Sequence, residues 1–298
     1  MKKCVSTYIF LILISFSWAQ NSNDSSIIYT RRKTIVNSTI ATAYAGSLIY
    51  LNQIWYAPYH TSHFHFFNDN NEWALMDKCG HFFTSFYTSH FLSKMYQYAG
   101  YKKSYWIATA ITWTYLFNIE IMDGFSEGWG FSFGDLTTNT LGTGIFLLKE
   151  KYFNDFFILK ISYLNTSYPA YNPTLLGKDN YERILKDYNG QTYWLSMSPF
   201  YKWKKDLEWL CFSFGYGIDG FIGASSNIFY RNNQWFNYDN IKRQQQFYLS
   251  FDIDLSKIKT KKIWLQKILQ SINWIKIPAP AVELKGNNLY FRPLLFSN

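Results

Sequence analysis

From Thr34 through Asn68 the chain carries no Asp, Glu, Lys or Arg. A run this long without charge is removed from water in most folds, by packing against protein or against lipid. Residues 34–56, TIVNSTIATAYAGSLIYLNQIWY, are long enough for a bilayer span, with Arg31, Arg32 and Lys33 ahead and Trp55, Tyr56 and Tyr59 behind. Ala41, Ala43, Ala45 and Gly46 would let a second helix approach closely. Asn37, Ser38, Thr39, Thr42, Ser47 and Asn52 make the span a weak one, so a helix buried inside a bundle fits equally well.

The character of the chain changes near residue 152. Ahead of that point the apolar residues come in blocks, giving helices over 73–98, 102–123 and 133–150, separated by Gly100 and by DGFSEGWG. Their charge-free cores, 79–93, 104–119 and 136–148, are too short for complete crossings and suit packed or half-embedded helices. Beyond it, FFILKISYL, TYWLSMSPFY, LEWLCFSFGYGI and QQQFYLSFDIDL alternate with period two, and AVELKGNNLYFRPLLF reads as a hairpin turning at Gly286, Asn287 and Asn288. Residues 261–275 put Ile263, Leu265, Ile268, Leu269, Ile272 and Ile275 on one helical face. Five or six strands fall short of the eight of a small membrane barrel, which favours an antiparallel sheet packed on the helices.

The N-terminus reads as an export signal over 1–19: Lys2 and Lys3, an apolar run, then Ser17, Trp18 and Ala19. Cys4 lies ahead of the apolar run, where it is not placed for lipidation. Residues 20–33 then form a linker. The formal net charge is +9, and +7 once Lys2 and Lys3 leave with the signal. A basic exported chain favours anionic partners such as membrane lipid or a lipid-linked phosphate, and no motif for nucleic acid is present. Cys79 and Cys211 alone remain after processing, so no disulfide framework is expected. Aromatic residues make up 21% of the chain, which again favours a membrane setting.

Within the helical half, Asp77 and His81 stand four apart on one helical face, as do Asp135 and Asn139. Glu120 and Asp123 end the helix between them. Ionisable groups in so apolar a setting pair with each other or bind something, so these six residues are expected to converge on one polar cluster. Ser132 stands at the N-cap of the last helix, three residues before Asp135. Amides at that helix start could receive a phosphate, with Lys78 and Ser132 as ligand-binding residues. Three readings stay open at this point: acid–base catalysis on an anionic lipid, a divalent metal held by His81 with carboxylates, and a structural ion-pair network. The tract His60, His63 and His65 is a second metal candidate, and His90 reads as a core or interface histidine. No Gly-x-Ser-x-Gly elbow, phosphate loop or dinucleotide fingerprint occurs, which leaves no implied cofactor.

The order DKCGH, EIMDG, GFSFGDLTTNTLG resembles an uncharacterised family of predicted periplasmic lipoproteins (YfiM-like, in its Bacteroidota-type members) from about residue 33 onward. KDYNGQTYWLS and KIPAPAVEL are similar to that branch. More distantly, Asp77, Lys78, His81, Phe82, Glu120, Ser132, Asp135, Asn139 and Gly142 resemble the pattern of VanZ-like membrane proteins over about 70 residues. Neither resemblance implies an established reaction. The sum is an α+β envelope protein facing the periplasm. A four-helix bundle over 34–152, partly embedded in a membrane, precedes an antiparallel β-rich region over 153–298. The polar cluster either binds and processes an anionic lipid or lipid-linked precursor, or serves a non-enzymatic scaffold.

Overall fold

The computed structural model describes residues 25–57, 60–153, 156–231 and 233–294. The export signal read at 1–19, and Pro58 and Tyr59, lie outside them. The protein is α+β. Helix α1 (Ser25–Leu51) starts inside the stretch expected as linker and ends in a wide π turn over Asn52–Tyr56. It is followed by α2 (Met76–Tyr98), α3 (Ser104–Gly124) and α4 (Phe133–Leu148). No helix among the described residues is long and apolar enough to cross a membrane.

Helices α2, α3 and α4 form the compact part of the helical half. Gly142 of α4 faces the backbone of Phe82 so closely that a side chain there would meet its carbonyl oxygen at 2.4 Å, so the α2–α4 contact depends on this glycine. Gly144, two residues on, faces open space. Phe86 of α2 sits between Phe146 of α4 and Phe157 of the sheet. Helix α1 joins more loosely, through Val36 and Ile40 on Tyr96 and Ala99, and through Arg32 over the Tyr98 ring.

Helix α2 begins from an unusual turn. Trp73, Ala74 and Leu75 all take left-handed backbone angles (φ 51°, 47° and 68°), which cost roughly 1–2 kcal/mol per non-glycine residue. The second half of the chain holds this turn in place. The Trp73 amide donates to the Ala224 carbonyl at 3.0 Å, the Tyr216 hydroxyl donates to the Ala74 carbonyl, and the Trp73 ring packs with Met76, Leu176, Ile218 and Phe221.

The β-rich half contains β1 (Phe157–Tyr163), the short helices α5 (Pro173–Leu176) and α6 (Asn180–Lys186), β2 (Gln191–Met197), β3 (Leu210–Asp219), β4 (Ile228–Arg231), β5 (Gln234–Asn237), β6 (Gln244–Ile253), α7 (Ile263–Ser271), β7 (Ala281–Lys285) and β8 (Asn288–Arg292). Six strands make one antiparallel sheet in the order β1-β2-β3-β6-β7-β8, and β4 with β5 makes a separate ribbon. The expected strands are all present. The ribbon was not expected, although paired asparagines between IFYR and QWFN are a turn signal, and Asn233 does take φ 60°. The segment before β7 also runs parallel to β1, with the Ile161 amide donating to Trp274 and the Lys276 amide donating to Ile161. Since β7 itself pairs with β6, this stretch closes the sheet into a small barrel.

The barrel is polar inside. Lys160, Lys276 and Asp252 are fully buried, and Lys160 Nζ lies 3.1 Å from Asp252 Oδ2 although their strands are separated by two others. Ser196 and Ser213 donate to the same carboxylate at 2.6 and 3.2 Å. The lysine ammoniums complete their shells on the carbonyls of Ile253, Phe251 and Ile277. Burial pulls Lys276 down to about 8 against the attraction of Asp252. One aspartate thus serves two buried lysines. Asp252→Asn removes the carboxylate that both lysines contact and is expected to cost about 3–5 kcal/mol, read from denaturant unfolding at neutral pH; an unchanged midpoint would refute this role.

Candidate functional site

The cluster expected from the sequence exists, and it reaches further than the six residues that pointed to it. The strained turn at Trp73–Leu75 aims the first turn of α2 inward, so that Asp77, Lys78 and His81 meet α3 and α4. Ser132 caps α4 as the sequence predicts, its hydroxyl accepting from the Asp135 amide at 3.1 Å. Lys78 is buried, and its ammonium lies 2.7 Å from Asp69, 2.7 Å from Asp135 and 3.1 Å from Asp77. Gly134 leaves room for this: a side chain there would stand 3.0 Å from the lysine stem and 2.2 Å from Asn70 Oδ1.

A second chain of contacts orients His81. Asn139 donates to Glu120 Oε1 through Nδ2 at 3.2 Å, which turns its Oδ1 toward the imidazole, and His81 Nδ1 meets that oxygen at 3.2 Å. The ring therefore presents Nδ1–H to Asn139. Its other nitrogen, Nε2, stands 3.7 Å from Asp77 and 3.6 Å from Asp135, beyond hydrogen-bond reach, and a quarter of the side chain is exposed. Asp77 is open to a similar extent, whereas Glu120 is closed off and its Oε2 has no partner. Asp123 lies at the margin, accepting from the Tyr56 hydroxyl at 2.8 Å.

Three members were not legible as site residues. Tyr188, just ahead of β2, donates to Asp77 at 2.7 Å, so the β-rich half contributes to the cluster. Asp69, from the loop before α2, accepts from Lys78 and from Ser132 at 2.7 Å. Tyr56 holds Asp123. Asp69 alone carried a signal: it is the first charge after the uncharged run.

The electrostatics follow from five acids facing one lysine and one histidine. Burial raises Glu120 to about 7, Asp123 to about 6 and Asp135 to about 8. Burial opposes the charge on Asp69 and Asp77 as well. There the hydrogen bond from Asp135 and the contacts to Lys78 at Asp69, and the charges of His81 and Lys78 at Asp77, outweigh it and hold both below the usual carboxylate range. Asp135 thus retains the proton and Asp69 the charge. Desolvation also disfavours the imidazolium, yet Asp77, Asp135 and Glu120 together raise His81. Cys79 is pushed up to about 11 by burial and is a poor nucleophile.

Among the described residues, Asp77, His81 and Asp135 form the one group whose ligand atoms lie close enough for a metal. Lys78 already neutralises both carboxylates, so a metal would have to compete with a resident ammonium. The histidine tract assembles no such group. His65 is fixed by the Trp129 carbonyl at 3.0 Å and by Ser62 at 3.2 Å. His90 packs near Phe146 and stands 3.7 Å from Glu150, as an interface histidine would.

Two predictions follow from these charges. A carboxyl with a raised pKa stabilises the fold most below its ordinary value and loses that contribution as pH climbs through the raised one; Glu120, Asp123 and Asp135 behave so. His81, also raised, adds stability below its ordinary value that fades at higher pH. Asp69 and Asp77 lose theirs as pH falls through their lowered values. Unfolding free energy is therefore expected to peak on the acid side of neutrality and to decline from about 6 to about 8, with Glu120→Gln flattening the decline; a profile rising over that interval would contradict the assignment. Separately, Lys78→Met leaves the charged Asp69 and Asp77 without their ammonium partner and is expected to cost about 3–5 kcal/mol near pH 7 in urea titrations.

Comparison with known proteins came down to one match. No curated protein and no solved structure matches the chain. Residues 65–151, which hold α2, α3, α4 and the whole cluster apart from Tyr56 and Tyr188, match the model of the family described as predicted periplasmic lipoprotein (DUF2279).

Proposed function

We propose that this is an exported, periplasm-facing envelope protein whose His81 performs acid–base work on an anionic lipid or lipid-linked precursor. One observation carries the reading: His81, its side chain one-quarter exposed, fixes its ring through Nδ1 and leaves Nε2 without a hydrogen-bond partner, facing Asp77 and Asp135 at 3.7 and 3.6 Å. Glu120 and Asn139 fix the ring through Nδ1, the arrangement by which a general base is oriented by a further group. In its charged form Nε2–H can donate to a phosphate oxygen; once neutral, the same atom can take a proton. Asp77, Asp135 and Glu120 tune that balance, and Lys78 with Ser132 holds the acids in place. The family description of residues 65–151 supports an envelope location. The resemblance of Asp77, His81, Glu120, Asp135 and Asn139 to the VanZ-like pattern supports a membrane-lipid setting. A cleft lined by Phe66, Phe67, Phe133, Asn68 and Asn70 adjoins Gly134, in front of the Lys78 stem, and its apolar wall suits a lipid chain.

The alternative, a non-enzymatic scaffold, draws on Asp77, which Lys78 pairs within the helical half while Tyr188 of the β-rich half donates to it. Calorimetry with monomeric dihexanoyl phosphatidic acid separates the two. The acid–base reading expects saturable binding, weakened about tenfold or more in His81→Ala, with unfolding midpoints close to wild type. Equal binding by wild type and His81→Ala, or no binding by either, would leave the scaffold reading in possession.

A further inference from the structure

The barrel is built inside out, and this concerns a surface far from the His81 chemistry. In a water-soluble sheet with one covered face, apolar side chains line the covered face and polar ones meet solvent. Here Lys160, Ser196, Ser213, Asp252 and Glu283 point inward and are buried. The opposite face is predominantly apolar, with Gln245 at its end beside Ile218. Strand register places Leu195, Phe214, Leu249, Val282 and Phe291 in one row across five strands. Phe212 and Phe251 pair in the row above, and Phe247, Leu284 and Leu289 in the row below. Helix α2 and the turn before it cover this face over β1 and β2, where Phe86 meets Phe157 and Phe83 meets Tyr193, and at the far end of β3, where Met76 packs on Ile218 and Tyr216 reaches Ala74. Across the rest, Phe214, Phe251 and Phe291 are 53%, 51% and 68% exposed. The uncovered wall is roughly 19 Å wide and 13 Å tall at ordinary strand spacings. That is a contiguous patch of the kind soluble monomers avoid unless it is used.

The adjoining end of the barrel indicates what covers it. The wall runs at Phe212 and Phe251 into the β2–β3 connection and the segment after β6, which are joined by the Asp254 amide donating to Trp209. These two segments, residues 198–209 and 255–275, present Lys202, Lys204, Lys205, Lys259, Lys261, Lys262 and Lys267 to solvent, with Asp206 and Glu208 as their only acids. Trp203 is exposed among the lysines, as are Ile263, Trp264 and Ile268 along α7. Exposed tryptophan and lysine beside an apolar face complement an anionic lipid surface, where rings sit at the headgroup level and lysines meet phosphates. A six-stranded sheet is too small to span a bilayer, and the height of the wall is less than half the hydrocarbon core.

We propose that this apolar wall is a lipid-docking face: it seats at the acyl-chain boundary of an anionic bilayer while the lysines of the neighbouring barrel end engage lipid phosphates. The test is flotation of the full chain with vesicles of phosphatidylcholine alone or mixed with phosphatidylglycerol. Wild type is expected to float with the mixed vesicles, and higher salt to weaken this. Phe214→Asp with Phe251→Asp should lower partitioning about tenfold or more, since it places charge against the acyl region. Lys261→Glu with Lys262→Glu should lower it by about fivefold per lysine, while far-UV circular dichroism stays unchanged. The Phe214 and Phe251 variant should still bind dihexanoyl phosphatidic acid like wild type in calorimetry, so this face and the acid–base site can fail independently. The proposal is overturned if wild type floats with neither vesicle, if the Phe214 and Phe251 variant floats as well as wild type, or if sedimentation shows a dimer that the same substitutions dissociate, which would assign the wall to a second copy.

Discussion

A single ammonium group organises the helical half. Lys78 stands among Asp69, Asp77 and Asp135, which come from a loop and two helices, and none of these carboxylates could be buried there without it. Its position determines where the first turn of α2 sits, and with it how far His81 projects. The imidazole is then adjusted by a second layer, Asn139 and Glu120, that never touches the lysine. The outcome is a charge network that leaves two polar atoms without a hydrogen-bond partner, the buried Glu120 Oε2 and His81 Nε2.

The barrel uses the same device with the signs reversed. There, one aspartate sits between two lysines, and all three side chains are fully buried. The two buried ionic centres are therefore not equivalent. The helical one keeps a partly open imidazole and several groups that change charge near neutrality, whereas the barrel one completes its shells with backbone carbonyls and serine hydroxyls. A mutational penalty alone would not distinguish them, because removing a partner from either leaves charge stranded.

Much of this organisation was legible from spacing. The four-residue separations of Asp77 from His81 and of Asp135 from Asn139 implied shared faces, and the Ser132 cap was readable as a local motif. Strand alternation was equally clear, but alternation does not reveal which face turns inward. FSF in β3 and FYLSFDI in β6 look like ordinary strands with an apolar core face, and only tertiary closure shows that serine and aspartate occupy the interior. Tyr188 was invisible for another reason: its link to Asp77 spans 111 positions, and no local pattern encodes a partner so remote. Helix α6 was overlooked despite Asp179 and Glu182, a capping pair that the rest of KDNYERILK made easy to take for a loop.

The left-handed turn ahead of α2 also has a bearing on how the chain matures. The ribosome delivers the N-terminal residues first, so Met76–Leu148 can coil and associate well before Tyr216 and Ala224 emerge. Without those two anchors, nothing compensates three consecutive backbone angles that the side chains disfavour. The entrance to α2 therefore acquires its final shape late, as a seal made by the last-arriving strands. A nascent or truncated helical half would hold its acids and its lysine in an unfinished arrangement, which makes completion of the polar centre a signal that the entire polypeptide has arrived.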